Sequence, residues 1–133
     1  MSKIDDAVLY GYFRSSAAYR VRIALGLKGL TAGQKFVHLR NGEQTEEVYR
    51  WINPAGLVPF WVDGDFSLAQ SLAIIEYLDE THPEPPLLPK DPAGRARVRA
   101  LALDIACEIH PLNNLRVLRY LVHTLKVAED DKD

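Results

Sequence analysis

Serine and glutamine residues occur at the starts of two predicted helices, where their side chains could help to bind an anion. Ser15 and Ser16 follow a β-prone run and precede a stretch of helix-forming residues, and Gln70 and Ser71 open a later helix. A helix N-terminus presents unpaired amide hydrogens and the positive end of the helix dipole, which favour a thiolate or a carboxylate. An ordinary helix cap is the alternative interpretation of each pair, and for the first pair the segment alone favours the cap.

A third candidate feature is the Val58-Pro59 pair, which follows a turn rich in proline and glycine. In thioredoxin-like folds a cis proline at this place exposes the backbone of the preceding residue, which can then pair with a peptide ligand. A proline that opens an edge strand is the plainer alternative. Each of the three features is weak alone, whereas their order and spacing along the chain are informative.

The elements that must position these residues follow the order β-α-β-α-β-β-α. We predict strands and helices, in chain order, at 8–13, 17–27, 35–39, 45–51, 58–62, 66–68 and 70–80. Asp63-Gly64 between the last two strands is a strong hairpin signal. Alternating strands and helices that end in a hairpin predict a mixed four-stranded sheet with helices packed on it.

A proline-rich segment, His82 to Pro86, separates this α/β part from a helical continuation. Asp91 and Pro92 suit the cap and the first turn of a helix, and Pro111 predicts a kink at 107–111 before helix resumes at 115–125. A helix and a half cannot bury two apolar faces, so this end either docks on the first domain or belongs to a larger bundle. We therefore predict a first domain at 1–83, a linker at 84–90 and a helical segment at 91–133.

The overall composition argues against several classes of protein. The 133 residues carry a net charge of −2, which gives no general attraction to nucleic acid or to an anionic membrane, although Arg14, Arg20 and Arg22 form a local basic cluster. The single cysteine, Cys107, excludes an intrachain disulfide and a zinc cluster, and we interpret it as a buried small hydrophobe. No apolar run approaches the ~20 residues of a membrane span, and the N-terminus lacks the hydrophobic region of a signal peptide. We predict a cytoplasmic protein without a metal, nucleic-acid or membrane partner.

Together these motifs resemble the zeta class of glutathione transferases. The class signature is usually Ser-Ser-Cys-x-Trp-Arg-Val-Arg-Ile-Ala-Leu, and the likeness runs from about Val8 to Tyr120. It rests on four parts of the chain: Phe13 to Leu25, Asn53-Pro54 with Val58-Pro59, Gln70 to Leu78, and His110 to Leu115. The resemblance implies a thioredoxin-like α/β N-terminal domain, followed by the start of the all-α C-terminal domain of a glutathione transferase. It also implies glutathione as the cofactor and a homodimer.

The resemblance assigns a role to individual residues. Ser15 would hydrogen-bond the glutathione sulfur, and Arg14 would bind a carboxylate of the substrate, with Arg116 as a second clamp. Val58 would pair with the cysteinyl backbone, and Gln70 with Ser71 would hold the γ-glutamyl carboxylate. His110 and Asn114, four residues apart, would share one helical face above the site. The full set of implied glutathione contacts is Ser15, Ser16, Gln44, Val58, Pro59, Gln70, Ser71, His110 and Asn114.

The activity implied by the resemblance is a glutathione-dependent cis–trans isomerisation of a small ene-dione carboxylic acid, maleylacetoacetate or maleylpyruvate. Addition of the glutathione thiolate beside the double bond would allow rotation, and elimination would return the trans product. Ala17 stands where many members have cysteine and Tyr19 replaces the usual tryptophan, so conjugation helped by that cysteine is in doubt. Two alternatives remain open: a broad-specificity glutathione transferase or peroxidase, and a non-catalytic thioredoxin-like binding module.

Overall fold

The computed structural model describes residues 1–127, and the chain divides into two compact units, Met1–Leu87 and Leu88–Asp133. Residues 128–133, the end of the predicted helical segment, lie outside the described part. The order β-α-β-α-β-β-α predicted for the first unit is confirmed. Its elements are β1 (Ser2–Gly11), α1 (Ser16–Leu27), β2 (Leu30–Phe36), α2 (Glu47–Ile52), β3 (Phe60–Asp63), β4 (Phe66–Ala69) and α3 (Ser71–Thr81).

The four strands form one mixed sheet in the order β2-β1-β3-β4, as predicted. β1 runs parallel to β2 and antiparallel to β3, and β3 pairs with β4 in the predicted hairpin. Gly64 in the hairpin turn has a φ of 58°. Glycine suits this position because the left-handed region is unfavourable for residues that carry a Cβ.

Helices cover both faces of the sheet. Side chains alternate between the two faces of a strand, so Tyr10 and Phe60 lie opposite the main core, and the ring of Tyr49 on α2 lies 5.9 Å from that of Tyr10. α1 and α3 cover the other face, where each fully buried large apolar side chain contributes about 1.5–3 kcal/mol. The core cluster on that face contains Ala7, Leu9, Val21, Leu25, Leu30, Trp61, Ile74 and Leu78.

The bounds of the first two strands differ from the prediction. β1 begins at Ser2 rather than at 8, because its polar N-terminal residues pair with the start of β2 (Ser2 opposite Leu30). The register shifts between Lys3 and Val8, and Asp6 in this irregular stretch has a positive φ of 64°. β2 was predicted five residues too late, because the chain already leaves the sheet after Phe36 and enters a 3-10 turn at Leu39–Asn41.

Lys28, just after α1, fixes the segment that follows α3. Its side chain is fully buried and forms an ion pair with Asp79 at 2.7 Å from Nζ to Oδ1. Nζ also donates to the carbonyl oxygens of His82 at 2.8 Å and Pro85 at 2.7 Å. Three acceptors match the three donors of an ammonium group, so this buried charge is fully satisfied.

The second unit contains α4 (Pro92–Leu103), a π-helical stretch (Asp104–Ile109) and α5 (Leu115–His123). The predicted start is confirmed: Asp91 Oδ1 accepts a hydrogen bond from Gly94 N at 2.7 Å, and proline occupies the first turn. The irregularity predicted at 107–111 begins slightly earlier, in the π-helical stretch. Between 88 and 127 no residue is buried, so the described part of this unit has no core of its own.

Two predictions for the second unit are wrong. Cys107 is exposed rather than buried, because nothing in the described part of the unit covers this face. Asn114 does not share a helical face with His110, because it lies in extended conformation as the N-cap of α5. Proline at 111 lacks an amide hydrogen, so the preceding helix ends there and a new one begins after Asn114.

Candidate functional site

The sheet brings three of the predicted site segments to one end. Tyr10 near the end of β1 pairs with Phe60 at the start of β3, and Phe60 pairs with Ala69 at the end of β4. The segments that follow β1, precede β3 and follow β4 therefore leave the sheet at the same edge. A hydrogen bond of 2.9 Å from Arg20 Nη1 on α1 to Ser71 Oγ on α3 joins the two outer segments.

Ser15 is the N-cap of α1. Its Oγ accepts a hydrogen bond from Ala18 N at 3.1 Å, so Ser15 rather than Ser16 caps the helix, and Ser16 is its first residue. A hydroxyl that accepts through its oxygen keeps its hydrogen for donation. Within residues 1–127 this hydrogen has no acceptor, so Ser15 can donate to a sulfur anion while it caps the helix.

Arg14 lies at the tip of the turn that leads into α1. Ser15 N donates to Tyr12 O at 3.0 Å and closes this turn, and Arg14 is exposed without a hydrogen bond or ion pair to any described residue. Arg22 supports the turn from α1, since its guanidinium donates to Phe13 O at 3.3 Å. The same guanidinium lies 5.2 Å from the centre of the Tyr19 ring, so tyrosine at the usual tryptophan position still supplies an aromatic surface.

The predicted cis peptide bond between Val58 and Pro59 is confirmed. Val58 is half-buried, and its backbone N–H and C=O make no hydrogen bond within the described part of the chain. Pro59 is buried beneath it. An unpaired backbone at the start of a strand can accept an extended peptide as if adding a strand.

Two buried side chains of the α2 region hold the turn that precedes this pair. Tyr49 Oη donates to Leu57 O at 2.6 Å, and Asn53 Nδ2 donates to the same oxygen at 2.8 Å. Burial raises the pKa of Tyr49, against the opposing effect of its hydrogen bond with Asn53, so its hydroxyl remains a donor at neutral pH. The sequence offered one signal for Tyr49 that was missed: it lies four residues before Asn53 of the Asn53-Pro54 motif, one helical turn away.

Gln44 packs under the same turn. A Cβ at Gly56, whose φ is 61°, would lie 2.8 Å from Gln44 O, so the close approach of these two segments requires glycine. Gln44 itself is buried, and its Oε1 has no hydrogen-bond partner among the described residues. The predicted contact of Gln44 with glutathione stays a prediction.

Gln70 and Ser71 open α3 in an unusual way. Gln70 has a positive φ of 75° and its side chain makes no capping hydrogen bond. The first helical hydrogen bond is from Ile74 N to Gln70 O at 3.0 Å, so the amides of Ser71, Leu72 and Ala73 precede it. Ser71 is buried, whereas the Gln70 side chain is exposed. A strained residue before an uncapped terminus is typical of a ligand site.

His110, Asn114 and Arg116 belong to the second unit, and their predicted roles stay predictions. The amide of Asn114 is already engaged: its Nδ2 donates to Pro111 O at 2.7 Å, and its Oδ1 accepts from Arg116 N at 2.9 Å. The Arg116 side chain is exposed. No helix of the described residues has both the length and the hydropathy of a membrane span, and no group of three metal-ligating side chains occurs among them.

Comparison with known proteins defines the class to which this fold and site belong. Residues 9–86 match the family described as glutathione S-transferase, N-terminal domain. The chain belongs to this family, and its first unit is a thioredoxin-like domain with a mixed four-stranded sheet.

Individual relatives of the chain are named as isomerases. Over 128 residues, 95% of the chain, it is 56% identical to a Vibrio cholerae protein named "Probable maleylacetoacetate isomerase". Over 91% of the chain it is 47% identical to a maleylpyruvate isomerase of a Ralstonia species. The chain spans only 60% and 57% of the lengths of these two relatives.

Solved structures agree with these relatives. A maleylacetoacetate isomerase from Methylobacterium extorquens AM1, described with bound malonate and glutathione, matches at a TM-score of 0.89 and 46% identity. That match covers 92% of this chain and 58% of the other. A maleylacetoacetate isomerase from Anaeromyxobacter dehalogenans, described with bound dicarboxyethyl glutathione and citrate, matches at a TM-score of 0.75 and 45% identity. That match covers 88% of this chain and 53% of the other.

Proposed function

We propose that this chain is the glutathione-binding part of a glutathione-dependent isomerase that acts on a small ene-dione carboxylic acid, maleylacetoacetate or maleylpyruvate. The observation that carries the proposal is the set of unpaired groups at one end of the sheet. They are the Ser15 hydroxyl hydrogen, the Val58 backbone and the first amides of α3. The names of the relatives supply the reaction class.

The groups at this end of the sheet fit the three parts of glutathione. The uncapped start of α3 and the buried Ser71 hydroxyl suit the γ-glutamyl carboxylate. The unpaired Val58 backbone suits the cysteinyl amide, and Ser15 lies at the start of the neighbouring helix, where it suits the sulfur. By the same proposal, Ser16, Gln44, Pro59, Gln70, His110 and Asn114 complete the set of contacts.

When bound, glutathione supplies a thiolate that adds to one carbon of the substrate's carbon–carbon double bond. The resulting single bond can rotate, and elimination of the thiolate then restores the double bond. Ser15 donates its hydroxyl hydrogen towards the sulfur, and the N-terminal dipole of α1 favours the same negative charge. Both effects lower the thiol pKa and so raise the thiolate fraction near neutral pH. Because Ala17 carries no sulfur, this chain contributes no thiol at that position.

Arg14 anchors the substrate by its carboxylate in this proposal. Its guanidinium is exposed at the turn next to Ser15, and a planar guanidinium can bind a carboxylate through two parallel hydrogen bonds. The small carboxylates described in the solved relatives fit a substrate of this charge. Arg116 of the second unit is proposed as a second clamp.

The organisation of the protein is part of the proposal. We infer a glutathione-binding domain at 1–83, a linker at 84–90 and the first helices of a larger helical domain from 91 onward. The exposed apolar side chains of the second unit, such as Leu101, Ile109 and Leu112, support a larger bundle. We further propose a cytoplasmic homodimer.

Two experiments test the function. A crystal of the 133-residue chain with glutathione should show the tripeptide against Val58, Gln70 and Ser71, and an empty groove would contradict the proposal. Isomerase activity is measured with both substrates, with and without glutathione. It is measured on this chain and on a completed chain, in which the remaining C-terminal residues of the Vibrio cholerae relative follow. Glutathione binding without activity in the completed chain would favour the non-catalytic alternative.

A further inference from the structure

Arg20 is the one arginine of the Arg14, Arg20 and Arg22 cluster that the proposed function leaves without a role. It is half-buried on α1, two residues before Arg22, and its Nη1 donates to Ser71 Oγ at 2.9 Å. This hydrogen bond joins residues 51 positions apart. Within residues 1–127 the guanidinium makes no other hydrogen bond or ion pair.

The bond restricts what the Ser71 hydroxyl can do. A serine hydroxyl has one hydrogen to donate, and its oxygen can accept. Because the guanidinium is a donor only, its contact makes Ser71 Oγ the acceptor on that side and leaves the hydroxyl hydrogen to point elsewhere. Ser71 is only 6% exposed, so little water can compete for its hydroxyl. The adjacent positive charge also strengthens the hydroxyl as a donor.

We propose that Arg20 is a positioning residue for the carboxylate end of the proposed glutathione site, that is, Gln70 and Ser71 at the start of α3. It holds the Ser71 hydroxyl as a donor towards the α-carboxylate of the γ-glutamyl group. The inference rests on the proposed function, because it requires that the chain bind glutathione. The two arginines of α1 then have different roles. Arg22 supports the turn before Ser15, at the thiol end of the site, whereas Arg20 acts through Ser71 at the carboxylate end.

The test compares two ligands by calorimetry on the 133-residue chain. One is glutathione, and the other is glutathione in which the α-carboxylate of the glutamyl residue is an amide. Arg20→Met should weaken glutathione about tenfold and change the affinity for the amide by less than about twofold, because the missing interaction needs the carboxylate. Ser71→Ala should show the same selectivity. The double variant should be no weaker than Ser71→Ala alone, since the two residues act as one unit.

Two further variants keep the test decisive. Arg22→Met removes a guanidinium from the same helix and should leave the ratio of the two affinities unchanged. Arg20→Lys keeps a cation and a donor, so it should fold even if Arg20→Met does not, and should weaken only glutathione, by about threefold.

The possible failures are distinguishable. If the unsubstituted chain does not bind glutathione, the proposed function and this inference both fail. If it binds glutathione but the Arg20 variants weaken both ligands equally, Arg20 is structural and the inference alone is overturned. Additive losses in the double variant would likewise show that Arg20 does not act through Ser71.

Discussion

The two helix N-termini of the candidate site are built in opposite ways. At α1, Ser15 adopts an ordinary extended conformation and caps the helix through its Oγ. At α3, Gln70 has a positive φ and no side-chain cap, and the first amides of that helix have no partner within residues 1–127. The cap at α1 takes up the amide of Ala18 and leaves the Ser15 hydroxyl hydrogen as a side-chain donor, whereas no side-chain cap takes up an amide at the start of α3. Activation of the thiol should therefore depend mainly on one side chain, whereas binding of the carboxylate should depend on several groups.

The largest effect should come from Ser15→Ala. Removal of the one positioned donor should reduce turnover of the completed chain by ~10²–10³ near neutral pH. The pKa of bound glutathione should rise, so part of the rate should return at higher pH. Ultraviolet titration of the thiolate and a pH–rate profile measure the two effects.

Loss of the helix cap complicates this variant, because it should also destabilise the chain by about 1 kcal/mol. Ser15→Thr is the matched control, since threonine keeps both the cap and the hydroxyl and should retain most activity. Ser16→Ala should do less than Ser15→Ala. Full activity of Ser15→Ala with an unshifted thiol pKa would move the activating role to the helix terminus or to Ser16.

Arg14→Ala should have the next largest effect, confined to the substrate. A charge-assisted hydrogen bond contributes about 1.5–3 kcal/mol, so the KM for a dicarboxylate should rise by about 10- to 100-fold. The KM for glutathione should change little, because the proposal gives Arg14 no contact with the γ-glutamyl carboxylate. Arg50→Ala, at an exposed arginine of α2, is the control for the loss of one surface charge. Equal effects on both ligands would reassign Arg14 to structure or to the cofactor.

The sequence predicted those elements whose local pattern matches their final environment. The hairpin around Asp63-Gly64 and the apolar face of α3 were predicted because turn chemistry and helical spacing are local. The first six residues of β1 were missed because four of them are polar, namely Ser2, Lys3, Asp5 and Asp6. The first two are held in the sheet by pairing with β2. Long-range pairing overrode local preference in that strand.

The site was predicted by residue identity better than by hydrogen-bond role. The order of Ser15, Val58 and Ser71 along the chain indicated three segments that the sheet does bring to one end, whereas their contacts with glutathione stay a prediction. Which of two adjacent serines caps α1 depends on the backbone conformation of each, which the sequence does not specify. The contact of Arg20 with Ser71 depends on how α1 packs beside α3, so no local pattern could indicate it.

Gln70→Gly tests the N-terminus of α3, where the backbone of Gln70 is strained. Glycine tolerates the positive φ, so the variant should gain about 1 kcal/mol of stability, while loss of the side-chain contact should weaken glutathione about threefold to tenfold. Asp6→Gly is the matched control, because Asp6 also has a positive φ, of 64°, but lies in the irregular part of β1. It should gain similar stability without a change in affinity. If Gln70→Gly keeps full affinity, the side chain of Gln70 is not a contact.

Tyr49→Phe tests the turn between the two helix termini. It removes one hydrogen bond to Leu57 O and leaves that of Asn53, so unfolding free energy should fall by about 0.5–1.5 kcal/mol. Burial raises the pKa of Tyr49 above its unfolded value near 10, so the stability it contributes is present below that pH and is lost as pH rises further.

The deficit of Tyr49→Phe should therefore shrink above about pH 10 in denaturant titrations. Tyr120→Phe, at an exposed tyrosine, is the control and should be nearly neutral at both pH values. A deficit for Tyr49→Phe that stays constant with pH would show that the hydroxyl is not buried in the folded chain.

Cys107→Ser should have the smallest effect, and it tests the premise that the only reacting sulfur belongs to glutathione. Cys107 is the single cysteine of the chain and is exposed, so turnover and the thiol pKa of bound glutathione should stay within about twofold of the unsubstituted protein. In the completed chain this measurement requires replacing any cysteine that the added residues bring. Ala17→Cys is the positive control, because it places a thiol beside Ser16 and should make turnover sensitive to alkylating reagents. A tenfold loss in Cys107→Ser would mean that a protein thiol takes part, and the single-donor description of the thiol end would then be wrong.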